Sequence, residues 1–256
     1  MLDIASVLTL EDGAFVIGGQ ALNLWAEYYA KADELAAYRP FTSKDIDYFG
    51  FREAAQKLAD ELGGVVREPA FDDHTPQTAI VEAQIHGKPI QIDFLSNVLG
   101  VRPNAIENGV VEILFPAVHG ETARTVAIPV MHPLHCLQSR IANLITLGRR
   151  DDTAKRQAEA ASIVLREYIA DVLYEGDHRE ATRTLQELFH FLSRDIVGRK
   201  AHRIVERDPL TVMQAFVDDP RIDARYREKI LGPAIAKIER KRTILGKLLD
   251  AFVPRP

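Results

Sequence analysis

Phe15-Val-Ile-Gly-Gly-Gln-Ala-Leu-Asn-Leu-Trp25 is the stretch from which this chain is best read. The apolar run Ala14–Ile17 has the length and texture of a buried strand, and it stops at two glycines. After Gly18-Gly19 the pattern changes to helix. Gln20 to about Ala37 is rich in Ala, Leu and Glu, with an apolar face through Leu22, Trp25, Tyr29 and Ala32. Arg39-Pro40 closes that helix, because proline cannot continue one. Strand, glycine pair and helix together have a chemical use. Glycine lets the backbone approach a ligand closely, and a helix N-terminus offers unpaired N–H groups and a favourable dipole to phosphate.

The next informative stretch is Asp45-Ile-Asp-Tyr-Phe49, read as a strand despite its acids. Alternate side chains of a strand share a face, so Asp45 and Asp47 point the same way and Ile46 points into the core. Aspartate is depleted in strands, and two neighbouring carboxylates repel unless a positive charge lies between them. A divalent ion meets that need, since Mg²⁺ favours one or two carboxylates together with substrate phosphates. Gln91-Ile-Asp-Phe-Leu95 places a third acid, Asp93, inside another apolar strand. If this strand lies beside the first, Asp93 joins the same face and three carboxylates surround a one- or two-metal site. Ser43 and Lys44 immediately precede the acids. They are within reach of a bound phosphate, or they form an ordinary solvated loop.

Between these elements, Phe51 to Leu62 reads as a helix stopped by Gly63-Gly64. Strands are expected at Ala79–Ile85, Pro89–Leu95, Val110–Leu114 and Thr125–Met131, with a hairpin turn at Gly87-Lys88. From Pro133 on, helical patterns dominate: about 133–148, 151–172, 178–195, 197–207, 211–217 and 222–252, the last broken at Gly232-Pro233. The fold class expected is α+β. A small mixed-sheet domain occupies residues 1–130 and an all-helical bundle residues 131–256.

Phe15–Trp25, Thr42-Ser-Lys-Asp-Ile-Asp47 and Ile92-Asp-Phe94, in that order, resemble the DNA polymerase β-type nucleotidyltransferase superfamily. Within it the chain is most similar to the abortive-infection, AbiEii-like group, some of whose members act as toxins held by an antitoxin-like partner. A weaker similarity continues through Met131–Leu144 and Arg149–Ala161. The resemblance implies a catalytic domain followed by a helical one, with Mg²⁺ or Mn²⁺ as cofactor. It implies transfer of NMP from an NTP to a hydroxyl of a protein, an RNA such as tRNA, or a small molecule, with release of pyrophosphate. By the same resemblance Gly18 and Gly19 hold the triphosphate, Asp45, Asp47 and Asp93 bind metal, and Asp93 helps deprotonate the acceptor. Arg140 and Lys155 are the nearest counterparts of cations that contact nucleotide or acceptor. The interval from Gly19 to Asp45 is longer than in minimal superfamily members, which lengthens the first helix and its exit loop. The alternative is a silent module that keeps the fold and binds a nucleotide or partner without turnover.

Composition narrows the classes. Apolar residues make up 46% and charged residues 27% of 256, ordinary for a globular chain. The net charge of −5 argues against a protein that coats nucleic acid. That charge is uneven: residues 1–130 hold 9 Lys+Arg and 19 Asp+Glu, residues 131–256 hold 23 and 18. The acidic half accords with a carboxylate metal site, whereas a basic half either faces phosphates or is solvated helix surface. The single cysteine, Cys136, excludes an intramolecular disulfide and fits a reducing compartment; a buried apolar role is expected of it rather than a nucleophilic one. An acidic N-terminal segment and the lack of a long apolar run make a cytoplasmic protein without a membrane span the expectation. Phe71-Asp-Asp-His-Thr75 reads as a polar loop, and His132 and His135 as cap or core histidines. Arg149-Arg150 and Lys155-Arg156 are read mainly as partners of Asp151, Asp152 and Glu159.

Overall fold

The computed structural model describes residues 2–39, 46–70, 75–85, 87–107, 109–119, 122–149 and 151–243. The chain divides into two compact units, Met1–Asn143 and Leu144–Pro256.

The first unit is built on a seven-stranded mixed sheet. Its elements run α1 (Leu2–Ala5), β1 (Phe15–Val16), α2 (Gly18–Tyr28), α3 (Asp33–Ala36), β2 (Ile46–Phe49), α4 (Arg52–Leu62), β3 (Val65–Arg67), β4 (Gln77–Ile85), β5 (Lys88–Leu95), α5 (Pro103–Ile106), β6 (Val110–His119), β7 (Thr122–Met131) and α6 (Pro133–Thr146). The strand order is β3-β4-β5-β2-β1-β7-β6. Two pairings are parallel, β2 with β5 and β1 with β7; the others are antiparallel. Tyr48 and Phe94 are fully buried and stack at 5.3 Å between ring centroids, so the Tyr48 face of β2 and the Phe94 face of β5 are one apolar face. The Tyr48 hydroxyl reaches the Ile4 carbonyl at 3.4 Å. Across the molecule Trp25, the chain's one tryptophan, is buried and its indole N–H donates to the Met131 carbonyl at 2.9 Å, tying α2 to the end of β7.

Several expected boundaries move for local reasons. The first helix stops at Tyr28 instead of continuing to Ala37, because Ala32 takes an extended backbone (φ −72°, ψ 108°) and the chain restarts as the short α3. An aromatic cluster of Trp25, Tyr28, Tyr29 and Phe115 surrounds that exit. Helix propensity alone would have carried the helix further; tertiary packing overrides it. The β4–β5 turn falls one residue earlier than expected, with Ile85 paired to Lys88 and Gly87 in the left-handed region at φ 73°. The β6–β7 hairpin is longer than the apolar pattern marks, pairing Val110 with Met131 through to His119 with Thr122. Where its burial is described the alternation is regular, with Ile113 and Phe115 buried on either side of Leu114, which is 59% exposed. Helix α4 matches its expectation: Gly63 caps it at φ 62°, and its N–H returns to the Ala59 carbonyl.

The sheet ends at Met131, where the sequence turns helical, but the compact unit extends into α6. The reason is packing. Leu134, Cys136, Leu137 and Ile141 are fully buried, and Gly100 lies directly against Ala142 and the Gln138 carbonyl.

Every described element of the second unit is helical: α7 (Asp152–Tyr174), α8 (His178–Arg194), a 3-10 turn at Gly198–Arg203, α9 (Leu210–Gln214), α10 (Ala224–Tyr226) and α11 (Gly232–Arg242). Asp151 and Asp177 cap α7 and α8 by accepting from the Ala154 and Glu180 amides, each at 2.9 Å. The break expected at Gly232-Pro233 is absent. A π-helical turn at Arg227–Leu231 runs straight into α11. Proline lacks an N–H and its ring strikes the carbonyl four residues back; a wider turn just before it moves that carbonyl aside. Among the described residues no helix is long and apolar enough to cross a membrane.

Candidate active site

Strand β1 ends where its partner's acid begins. The Ile17 amide donates to the Asp47 carbonyl at 2.9 Å, extending the β1–β2 ladder by one residue, and the chain then leaves the sheet through Gly18. Gly18 opens α2 at φ 68°, a left-handed conformation that side chains disfavour. Space is the second constraint: a Cβ at Gly18 would fall on an Asp47 carboxylate oxygen and lie 3.2 Å from Asp47 Cγ. The Asp47 side chain therefore rests over the first residue of an 11-residue helix. Ile17, the residue at the cap position, gives no side-chain hydrogen bond to the helix amides. A negative group near those amides is favoured by the helix dipole.

The parallel pairing of β2 with β5 sets Asp47 directly beside Asp93, flanked by the pairs Ile46–Ile92 and Tyr48–Phe94. Since Tyr48 and Phe94 share the buried face, Asp47 and Asp93 share the opposite one. Both are half-buried. Adjacent strands lie about 4.8 Å apart, so the Asp93 side chain is the in-register neighbour of Asp47, whose carboxylate rests at the start of α2. Gln91, two residues before Asp93 on the same strand face, donates from Nε2 to Asp93 Oδ1 at 2.9 Å and fixes its orientation. The sequence signal for Gln91 was its period-two spacing from Asp93.

Asp45, Ser43 and Lys44 lie outside the described residues, as do Arg150 and the Phe71–His74 part of the polar loop. Among the described residues no group of three metal-ligating side chains occurs. The pair Asp47 and Asp93 nevertheless suits a hard divalent ion, which takes one or two protein carboxylates and completes its shell with phosphate and water oxygens. Gly19 is buried in the first turn of α2. Arg140 is half-buried on α6 in the first unit; Lys155 is half-buried in the first turn of α7 in the second. Asp151 caps α7, and the Glu159 carboxylate accepts from the Glu206 amide at 2.9 Å; Arg150, one of the cations expected to pair with them, lies outside the described residues. Among the described residues no carboxylate pairs with Lys155.

The two histidines do what buried histidines commonly do. His132 Nδ1 accepts from the Leu134 amide at 3.1 Å and caps α6. His135 is 5% exposed and packs against Gly109, where a Cβ would meet its ring. Cys136 is fully buried, and that burial pushes its thiol up to about 12. At pH 8 it is a protonated, inaccessible thiol. We expect iodoacetamide to leave the native protein unlabelled over hours and to modify Cys136 fully in urea; rapid native labelling would show that α6 opens.

Comparison of the chain with protein-family models, with curated proteins and with solved structures returns no match.

Proposed function

We propose that the first unit is a metal-dependent nucleotidyltransferase site of the polymerase β type. The observation that carries this reading is the in-register pair Asp47 and Asp93 beside the left-handed glycine that opens α2. A structural aspartate needs neither a second carboxylate on the neighbouring strand nor a glycine beneath it, whereas a phosphate-and-metal site needs both.

The residues divide the work as follows. The α2 amides after Gly18 and Gly19 receive the triphosphate of an NTP. Asp47 and Asp93, with Asp45, hold Mg²⁺ or Mn²⁺, and such an ion would neutralise charge on the phosphates as it builds up. Asp93, held by Gln91, accepts the proton of an acceptor hydroxyl. The hydroxyl oxygen forms a bond to the α-phosphorus. The bond from that phosphorus to the α–β bridging oxygen breaks, and its electron pair leaves with pyrophosphate. Ser43, Lys44, Arg140 and Lys155 are assigned to nucleotide or acceptor phosphates. The acceptor is a hydroxyl of a protein, an RNA or a small molecule, and the reaction is cytoplasmic.

The test is transfer of label. The protein is incubated with Mg²⁺ and each α-labelled NTP, alone and with cell extract separated into protein, RNA and small molecules. Label in one fraction, absent with Asp47→Asn, identifies the acceptor class and the nucleotide together. Binding of Mg²⁺-NTP without label in any fraction would instead assign a silent nucleotide-binding module.

A further inference from the structure

The second unit gathers cations at one place. Helix α8 ends at Arg194, and the Asp195 carboxylate accepts from the Val197 and Gly198 amides at 2.8 and 3.1 Å, folding the chain back. Gly198 is buried against the Phe191 backbone, where a Cβ would strike the carbonyl, so the 3-10 turn Gly198–Arg203 presses on the end of α8. From the other side, Lys241 in the last turn of α11 donates to the Ser193 carbonyl at 3.4 Å. Between them lies a concavity of about 320 Å³. Its floor is apolar, with Leu192 and Ile238 each 2% exposed, and its rim carries Arg199, Lys200, Arg203 and Lys241.

Among the described residues none that lines it is an acid. Asp208 lies close by but is taken by Arg242, which binds it through both guanidinium nitrogens. Among the described residues Arg199, Lys200 and Arg203 have no ion pair, and Lys241 meets only a neutral carbonyl. Cations at the C-terminus of α11 have an ordinary explanation in the helix dipole. That explanation covers Lys241 and Arg242 but not the three contributed by the 3-10 turn. Four uncompensated charges around a low-dielectric hollow repel one another and focus a positive potential into it. His202, in the same wall, is held below its usual range by burial and by Arg242 and Arg203, so the hollow already resists a further positive charge. A multiply charged anion relieves this strain, and arginine's fork matches phosphate oxygens.

We propose that this hollow binds closely spaced phosphates, as in a polyphosphate chain or the backbone of a single-stranded nucleic acid. The site rests on none of the residues assigned to nucleotidyl transfer.

The full-length protein is titrated in EDTA, which suppresses metal-dependent NTP binding, with inorganic tripolyphosphate by calorimetry and with a fluorescein-labelled oligouridylate by anisotropy. Binding is expected, with a log–log salt slope for the oligonucleotide of about −3 for four phosphate contacts. Arg199→Glu with Arg203→Glu should weaken it at least tenfold. Arg179→Glu with Arg225→Glu, an equal charge change at exposed residues outside the hollow, should leave it within twofold, as should Asp93→Asn. Displacement of the oligonucleotide by tripolyphosphate identifies a free polyphosphate as ligand; resistance to a hundredfold excess identifies the phosphodiester backbone. No binding, equal loss in both charge-reversal variants, or loss in Asp93→Asn overturns the proposal. All four substituted arginines are exposed, and circular dichroism checks the fold; should the double variant misfold, Lys200→Gln, with an expected threefold or greater loss, replaces it.

Discussion

Asp93→Asn is expected to cut nucleotidyl transfer by more than about a hundredfold while leaving the protein slightly more stable. The first part follows from comparison with outer-shell groups. Loss of a residue that only supports a metal ligand costs about 10–100-fold, so loss of a ligand should cost more. The second part follows from the register. Asp93 stands directly beside Asp47, and like charges opposite each other in a sheet destabilise it by about 0.2–1 kcal/mol. Asparagine removes that repulsion and keeps an oxygen able to accept from Gln91 Nε2. Without metal, the variant should melt at or up to about 3 °C above wild type. With Mg²⁺ and an NTP the order should reverse, because a ligand that binds only the folded state raises the melting temperature of the protein that binds it. A purely structural Asp93 would give the opposite pattern: lower stability in the variant and no difference in its response to Mg²⁺-NTP. Thermal melts with and without Mg²⁺-NTP, beside the label-transfer assay, distinguish the two.

Gly18→Ala should damage the protein twice, and Gly13→Ala separates the two effects. Gly13 and Gly18 have nearly the same φ, 62° and 68°. A left-handed conformation costs an alanine about 1–2 kcal/mol relative to glycine. At Gly13 that is the whole cost, because a Cβ there meets nothing within 4 Å. At Gly18 the new methyl also lands on the Asp47 carboxylate, which must swing away from the helix N-terminus. Gly13→Ala should therefore lose about 1–2 kcal/mol in urea unfolding and keep its transfer activity. Gly18→Ala should lose at least as much stability and most of its activity, through displacement of Asp47. Equal activity in the two variants would mean that the position of Asp47 over α2 is not needed for transfer.

Each feature that was legible in the sequence has a short-range cause. The apolar run into Gly18-Gly19, the alternation around Asp47 and Asp93, and the helix over Phe51–Leu62 with Gly63 at its end depend on residues within a few positions of one another. Backbone conformation, side-chain period and capping are local physics. Where distant packing took over, the local signal misled. The stop of α2 at Tyr28, the continuous π-to-α passage across Pro233 and the full reach of the β6–β7 hairpin each answer to neighbours far along the chain or to geometry beyond one turn.

The site shows the same division. Local patterning alone puts Asp47 and Asp93 on strands and a glycine turn at the head of a helix. It could not determine that β5 lies parallel to β2, or that Asp47 faces Asp93 instead of a residue one step away. Register is a property of a pair of strands, and a one-residue slip would have turned Asp93 to the buried face and Phe94 away from it. The basic hollow of the second unit was still less legible. Its cations come from segments about forty residues apart, and only the packing of Gly198 on Phe191 and the reach of Lys241 to Ser193 bring them to one rim. Charge type is written in the chain, but which charges meet is decided by tertiary packing, because proximity in space is set by burial and close contact across the fold.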